Sequence, residues 1–292
     1  MPAYRRQRVD TPDGDFIDLD WVGPTAGVMP CVVLFHGLEG SSRSHYARSV
    51  MRAVAERGWR GVVVHFRGCS GEPNRMARAY HSGDSAEIGW VLARLHRQLG
   101  VPVFAVGVSL GGNALLKWLG EQGAAARQLV TAAAAVSAPL DLAAANAALM
   151  RGFNRVYTRH FLASLIPGAL DKARRFPGLF DAEKARAARS LFDFDDVVTA
   201  PLHGFLGAAD YYARCSAGPM LGGVGVPTLV LNAANDPFLP AAALPNAAKV
   251  SSKVRLEVPR DGGHVGFVSA APPGRLDWLP RRLLAHFDTH AG

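Results

Sequence analysis

The sequence has few cysteines and no long apolar run. Its 292 residues include only three cysteines, without CxxC spacing: Cys31, Cys69 and Cys215. An odd number of widely spaced cysteines supports neither a disulfide framework nor a zinc knuckle, so we expect a protein of the reducing cytoplasm. The longest apolar runs, such as 129–136, are far too short to cross a bilayer, and residues 1–10 lack the apolar core of a signal peptide.

Signatures of cofactor and nucleic-acid binding are also missing. The sequence contains no GxxxxGK[ST] loop, no GxGxxG after a strand and no HExxH pair, so it indicates neither a nucleotide cofactor nor a metal. We interpret His286 and His290, near the C-terminus, as part of a solvated face. The formal net charge is +8, but the basic residues are scattered as singles and pairs. That distribution is typical of a solvated basic surface and predicts no nucleic-acid partner.

The composition is that of a folded globular protein. Hydrophobic residues make up 49% of the chain and charged residues 19%, which is enough apolar material for a sizeable core. The length suits one large domain with an insertion, and neither a low-complexity linker nor an internal repeat is evident.

Short buried strands alternate with amphipathic helices over the first half of the chain. A turn at 11–15 separates two strands and predicts an antiparallel edge hairpin. Later apolar runs are continuous, as in strands buried on both faces. They lie at 31–36, 61–66, 101–108, 129–137, 228–232 and 254–258. Helices are predicted over 44–57, after the capping residue Asp84, over 110–121 and over 274–286. The alternation predicts an α/β fold with a mostly parallel, doubly wound sheet.

The alternation stops between residues 140 and 218, where helical patterns and aromatic residues occur without a clear buried strand. We predict that 140–218 is a helical cap or lid inserted into a core made of 1–139 and 219–292. Its ten Lys or Arg against eight Asp or Glu are too small an excess to argue for a membrane surface, so peripheral membrane contact stays open. The apolar candidates for the wall of an acyl pocket are Leu149, Met150, Phe153, Phe161, Leu162 and Leu165, although we expect most of them to lie in the core.

A serine lies between two glycines, after a buried strand and before a helix. Gly107-Val-Ser109-Leu-Gly111 matches G-x-S-x-G, the nucleophile elbow. Side chains at the glycine positions would collide where the backbone doubles back, so glycine there leaves the serine exposed above the sheet. We therefore predict that Ser109 is a nucleophile.

Serine is a poor nucleophile at neutral pH and needs a general base that a carboxylate orients. In folds with this elbow, the acid and the histidine follow the serine on loops after later strands. Asp236 follows the predicted strand at 228–232, and His264 follows the last predicted strand. We predict that His264 is the base and Asp236 the acid. Asp141 is the alternative acid, but it has a sufficient role as cap of the first inserted helix.

A tetrahedral oxyanion needs preorganised backbone donors. One should be the Leu110 amide, directly after the nucleophile, and the other the Leu38 amide in the loop after the first parallel strand. Gly37 lets that loop turn closely, and we expect the His36 side chain to support the loop instead of binding a metal.

With these residues in place, the chain resembles bacterial esterases of the α/β-hydrolase superfamily that group with the mammalian α/β-hydrolase-domain lipid hydrolases, a family that includes a phospholipase. The resemblance is nearly end to end and implies a carboxylic ester hydrolase with Ser109, Asp236 and His264 as nucleophile, acid and base. The motifs that carry it are His36-Gly-Leu-Glu-Gly-Ser41, Arg67-Gly-Cys-Ser-Gly71, Gly107-Val-Ser-Leu-Gly-Gly-Asn113, Phe194-Asp-Asp196, His203-Gly-Phe205, Asp210-Tyr-Tyr212, Asn235-Asp-Pro-Phe238 and Gly263-His-Val-Gly-Phe267.

Four residues of these motifs have no catalytic role in this interpretation. We expect Asp195 and Asp196 to pair with nearby arginines, and Tyr211 and Tyr212 to seat the insertion on the core.

The sequence thus predicts an esterase for short to medium acyl chains that works through an acyl-enzyme, without a cofactor. A lipid hydrolase of the phospholipase or monoacylglycerol lipase type, or an acyltransferase, would use the same residues. From another class, a ligand-binding scaffold on the same fold stays an alternative.

Overall fold

The computed structural model describes residues 2–240, 243–270 and 274–291, so a few residues of the predicted core, 241–242, 271–273 and the two chain ends, lie outside it.

Eight strands form one sheet in the order β1-β2-β4-β3-β5-β6-β7-β8. The strands are β1 (Arg5–Asp10), β2 (Phe16–Val22), β3 (Cys31–Phe35), β4 (Arg60–Val64), β5 (Val103–Val108), β6 (Ala132–Val136), β7 (Thr228–Leu231) and β8 (Val254–Glu257). The β1–β2 and β2–β4 pairs are antiparallel and the other five pairs are parallel. The predicted mostly parallel sheet with an N-terminal antiparallel hairpin is confirmed.

Helices cover both faces of the sheet. Those of the core are α1 (His45–Glu56), α2 (Ser85–Leu99), α3 (Leu110–Gln122) and α10 (Trp278–Asp288). Neighbouring residues of one strand point to opposite faces: Val33 packs with α2 and α3, whereas Leu34 packs with α1 and α10. Both are fully buried. Burial on both faces explains why these strands appear in the sequence as unbroken apolar runs.

Some predicted boundaries were wrong. β5 begins at Val103, and β6 covers only Ala132–Val136, because residues 123–128 form a 3₁₀ helix and the chain reaches the sheet later. The last strand ends at Glu257, and Val258 is half exposed. The C-terminal helix begins at Trp278, four residues later than predicted.

The prediction of a solvated C-terminal face was also wrong for His286. This residue lies on the inner side of α10, is buried, and its Nε2 lies 3.0 Å from the backbone oxygen of Ala133 in β6. Burial lowers the pKa of His286 to about 4. The helix therefore docks on the sheet instead of ending in solvent.

Between β6 and β7 the chain forms helices only. They are α4 (Leu142–Leu149), α5 (Arg155–Arg175), α6 (Ala182–Ala187), α7 (Leu191–Phe194), α8 (Ala200–His203) and α9 (Ala208–Cys215), with a π-helical turn at Asp195–Thr199. Leu162 of α5 and Phe194 of α7 share a small apolar cluster that is separate from the two clusters on the sheet. The division of the chain into a core and a cap stays a prediction. No helix in the described ranges is long and apolar enough to span a membrane.

Candidate active site

Ser109 lies at the tight turn between β5 and α3. Its backbone has φ 53° and ψ −119°, a left-handed conformation that is strained for a residue with a side chain. The flanking glycines are required by close contacts. A Cβ at Gly111 would lie 2.5 Å from the backbone oxygens of Phe35 and His36, and one at Gly107 would collide with the Gly111 oxygen. The sequence thus tightens the turn enough to project Ser109 above the sheet.

The structure brings Ser109, His264 and Asp236 together in one hydrogen-bonded line. His264 Nε2 lies 3.0 Å from Ser109 Oγ, and His264 Nδ1 lies 2.9 Å from Asp236 Oδ2. If Nδ1 carries the ring proton and donates a hydrogen bond to the carboxylate, Nε2 is free to accept a hydrogen bond from the serine hydroxyl. Asp236 is buried, which keeps water from competing for the histidine. The hydrogen bonds thus run unbroken from the Asp236 carboxylate through the imidazole to the serine hydroxyl.

The alternative acid lies elsewhere. Asp141 is the N-cap of α4, and its Oδ1 accepts a hydrogen bond of 2.9 Å from the Ala144 amide. The structure gives it no contact with His264 within the described ranges. Asp141 has the capping role expected of it.

Two residues for which the sequence predicted no role hold the histidine loop. Asn235 Oδ1 accepts from the amides of Gly262 and Gly263, at 3.0 and 2.8 Å. Ser137, just after β6, accepts from the Val265 amide at 3.3 Å. The positions after β6 and β7 thus fix the chain on both sides of His264. The sequence signals were the position of these residues after strands and, for Asn235, its place in the motif Asn235-Asp-Pro-Phe238.

The loop after β3 is held from both sides. Nδ1 of His36 lies 2.7 Å from the Gly37 oxygen, and its Nε2 accepts from the Phe66 amide at 3.1 Å. Accepting at Nε2 makes Nδ1 the protonated nitrogen, so His36 is neutral and donates to the loop; burial lowers its pKa to about 3. The Gly37 amide in turn donates to the Tyr46 hydroxyl at 2.8 Å, a contact that the sequence did not reveal.

The two residues predicted to supply the oxyanion donors lie at one cavity. Leu38 and Leu110 both line the cavity that contains Ser109 and His264. Among the described residues, neither amide donates to a protein acceptor. Both N–H groups therefore remain free to donate to a bound group.

A cavity of about 450 Å³ opens from Ser109 towards the helices between β6 and β7. Three of the predicted wall residues line it: Leu149, Phe161 and Leu165. Of the other three, Leu162 has the core position that we expected for most of them, and the prediction was wrong only for Met150 and Phe153. Met150 and Phe153 are exposed, and Leu162 packs inside the apolar cluster with Phe194. The cavity has a size usual for small-molecule sites.

Polar groups also line this cavity. Asp195 accepts from Thr199 Oγ1 at 2.6 Å and from the Tyr212 hydroxyl at 2.8 Å, and Asn146 donates to the same hydroxyl at 2.8 Å. The expected pairing with arginines was therefore wrong for Asp195. It was also wrong for Asp196, whose Oδ1 accepts from the Ala208 amide.

Tyr211 takes the seating role that was expected of it. Its hydroxyl accepts from the Ser82 amide at 2.9 Å, which joins α9 to the loop before α2. Two histidines lie on the same wall, with the rings of His81 and His203 4.4 Å apart. Burial lowers the pKa of His81 to about 4 and that of His203 to about 3, so both are neutral near pH 7. Among the described residues, no cluster of three or more His, Cys, Asp or Glu side chains could hold a metal ion.

Comparisons with known proteins concern the family and the fold of the chain. Residues 30–271 match the family described as alpha/beta hydrolase fold. The chain is 44% identical to the Escherichia coli K12 protein named "Putative esterase YheT", over 95% of this chain and 82% of that protein. It is 32% identical to phospholipase ABHD3 of Mus musculus, over 95% of this chain and 70% of that protein. The solved esterase Pf2001 of Pyrococcus furiosus superposes with a TM-score of 0.61 at 15% identity, covering 100% of this chain and 94% of that one, which shows a shared fold.

Proposed function

Since this chain belongs to the α/β-hydrolase family, we propose that it is a serine hydrolase that cleaves carboxylic esters of short to medium acyl chains. The observation that carries the proposal is the unbroken line of hydrogen bonds from Asp236 through His264 to Ser109 on the wall of a mainly apolar cavity. The relatives named as an esterase and a phospholipase support ester chemistry.

In the first half of the reaction, His264 Nε2 takes the proton of Ser109 while Oγ attacks the ester carbonyl carbon. The carbonyl oxygen becomes an oxyanion that accepts hydrogen bonds from the amides of Leu38 and Leu110. The tetrahedral intermediate then collapses. The ester C–O bond breaks, the alcohol leaves with the proton from His264, and the acyl group stays on Ser109.

In the second half, His264 takes a proton from water, and the resulting hydroxide attacks the acyl carbon. Collapse of the second intermediate breaks the bond to Ser109 Oγ, which regains its proton from His264, and the carboxylic acid is released. In both halves the buried Asp236 carboxylate stabilises the imidazolium that forms for a moment.

A lipid hydrolase is the second candidate, because Leu149, Phe161 and Leu165 give the cavity an apolar wall along which a longer acyl chain would lie. It uses the same chemistry and differs only in the substrate. An acyltransferase would differ in the acceptor that releases the acyl group, and analysis of the products with and without an added alcohol separates the two.

The experiment is hydrolysis of p-nitrophenyl esters from acetate to palmitate by the wild type, by Ser109→Ala and by a matched control, Ser252→Ala, at an exposed serine. We expect a maximum at one chain length, loss of turnover in Ser109→Ala and unchanged turnover in the control. Equal turnover in Ser109→Ala would disprove the mechanism. Labelling of Ser109 by a fluorophosphonate tests the scaffold alternative, because a serine that no base activates resists the reagent.

A further inference from the structure

The N-terminal half of α5 and the residues before it present apolar side chains to solvent. Phe153 is 75% exposed, Val156 50% and Met150 43%. Large apolar side chains grouped on one surface often mark an interaction site, whereas single ones are common everywhere. Arginines alternate with them along the chain and are also exposed: Arg151, Arg155 and Arg159.

Charge on this surface is of one sign. Residues 142–170 contain these three arginines and no Asp or Glu, and the acidic residues of 140–218 other than Asp141 begin at Asp171. The small net charge of the whole segment therefore comes from a basic first part, because residues 171–218 contain seven basic and seven acidic residues. None of the three arginines forms an ion pair with a carboxylate in the described ranges.

A third observation is the shape of the protein surface beside α5. Arg155 and Arg159 line a depression of about 600 Å³, and Arg189, in the loop between α6 and α7, also lines it. Leu162 and Ile166 contribute apolar surface to it. The nearby Asp193 carboxylate accepts from the backbone amides of Arg189 and Ser190 and forms no ion pair with the Arg189 guanidinium. Three guanidinium groups without a partner carboxylate suit a phosphate, because each can donate two parallel hydrogen bonds to it.

This surface lies close to the hydrogen-bonded residues Asp236, His264 and Ser109. The Tyr157 ring contacts Phe238 at a centroid distance of 4.8 Å, and Asn154 Nδ2 donates to the Pro237 oxygen at 2.6 Å. Phe238 in turn lies on His264. A partner bound to the outer side of α5 would thus be one helix away from the cavity.

We propose that this surface, made of Met150, Arg151, Phe153, Arg155, Val156, Arg159 and Arg189, docks the protein on a lipid bilayer that carries anionic headgroups. The arginines of the depression bind lipid phosphates, and the exposed apolar side chains enter the boundary between headgroups and acyl chains. Alternation of basic and apolar residues fits such a boundary better than it fits a soluble anion, which offers nothing to Phe153 and Val156. The docking does not depend on the hydrolytic chemistry.

The test is flotation of the full-length Ser109→Ala protein with vesicles, since this variant cannot alter the lipids. We expect binding to vesicles of phosphatidylcholine mixed with phosphatidylglycerol, and much weaker binding to pure phosphatidylcholine. Replacement of Arg155, Arg159 and Arg189 by Gln should weaken binding by about fivefold per arginine, or roughly 100-fold in all. Phe153→Ser with Val156→Ser should weaken it by at least about tenfold.

Matched controls have the same chemistry at other sites. Arg5, Arg52 and Arg97, exposed and without ion pairs in the described ranges, are replaced by Gln together, and Val28, which is 89% exposed, by Ser. Thermal unfolding checks that every variant folds. Equal loss of binding in the controls, no binding of the parent protein to anionic vesicles, or equal binding to pure phosphatidylcholine would overturn the proposal. Binding of inorganic phosphate to the depression without binding to vesicles would assign the site to a soluble anion and also overturn it.

Discussion

The ring of Phe238 lies on the imidazole of His264, with the ring centroids 4.3 Å apart and the planes inclined by 41°. The backbone amide of the same residue donates to Asp236 Oδ1 at 2.9 Å. Phe238 therefore contacts both the proposed base and the proposed acid. Its amide fixes the carboxylate, and its ring limits the orientations open to the imidazole.

The first prediction concerns this ring. Phe238→Ala keeps the backbone amide but frees the imidazole of His264, so we expect kcat/KM for a short p-nitrophenyl ester to fall about tenfold. Steady-state kinetics measures the loss. The control is Phe192→Ala, since the Phe192 ring is partly exposed and has no contact with His264 in the structure. An unchanged kcat/KM in Phe238→Ala would mean that the ring does not position the base.

The second prediction separates the two candidate acids. Asp236→Asn should lower kcat by roughly 10⁴-fold, because the amide favours the wrong tautomer of His264 and cannot stabilise its cation. Asp141→Ala should leave kcat nearly unchanged and lower the free energy of unfolding by about 1 kcal/mol, since it removes the cap of α4. Ester kinetics and urea unfolding of both variants give the answer. The opposite pattern would make Asp141 the acid.

The third prediction concerns the loop that carries the Leu38 amide. His36→Phe removes the hydrogen bond to the Gly37 oxygen within this loop and the one from the Phe66 amide just after β4, so we expect kcat to fall by about 10- to 100-fold. The pKa of His36 is about 3, which keeps it neutral from pH 5 to 9. The loss should therefore be the same at every pH in this range. A change in the shape of the pH profile would show that His36 titrates during turnover.

The sequence predicted whatever depends on residues close together along the chain. Unbroken apolar runs indicated strands buried on both faces, and the glycines around Ser109 indicated the elbow. Apart from the predicted set of Ser109, Asp236 and His264, contacts between distant residues could not be predicted. Nothing near Gly37 indicates that Tyr46 accepts from its amide, and nothing near His286 shows that its helix packs on β6.

The direction of side chains was the second feature that the sequence could not predict. Phe161 and Leu165 are four residues apart on the inner face of α5, whereas Leu162 lies on another face of the same helix. Composition alone cannot separate them, because all three are apolar. The same limit affected Asp195, whose hydroxyl partners are on α9 and in its own turn, not on an arginine.

The last prediction concerns the effect of protonation of the Asp195 carboxyl on stability. Its carboxyl accepts two hydroxyl hydrogen bonds and has no cationic partner in the described ranges, and burial raises its pKa to about 6. In the unfolded chain, where water surrounds the group, its pKa is the ordinary 3.8 of an aspartate. Between these two values the folded protein holds a proton that the unfolded chain has lost. Ionised Asp195 therefore destabilises the fold, and this part of the stability falls as the pH rises from about 4 to 6.

Asp195→Asn cannot ionise, so its free energy of unfolding relative to the wild type should increase by on the order of 2 kcal/mol between about pH 4 and pH 7. The lost hydrogen bond to one hydroxyl shifts the whole curve but does not depend on pH, so the difference between the two pH values isolates the proton. Urea unfolding of both proteins at each pH measures it. Asp196→Asn, the same replacement at the neighbouring position, is the control for effects that do not come from the Asp195 carboxyl. If the Asp195→Asn curve runs parallel to that of the wild type, the carboxyl of Asp195 titrates alike in the folded and unfolded chains, and the cavity wall is open enough to water to hold its charge.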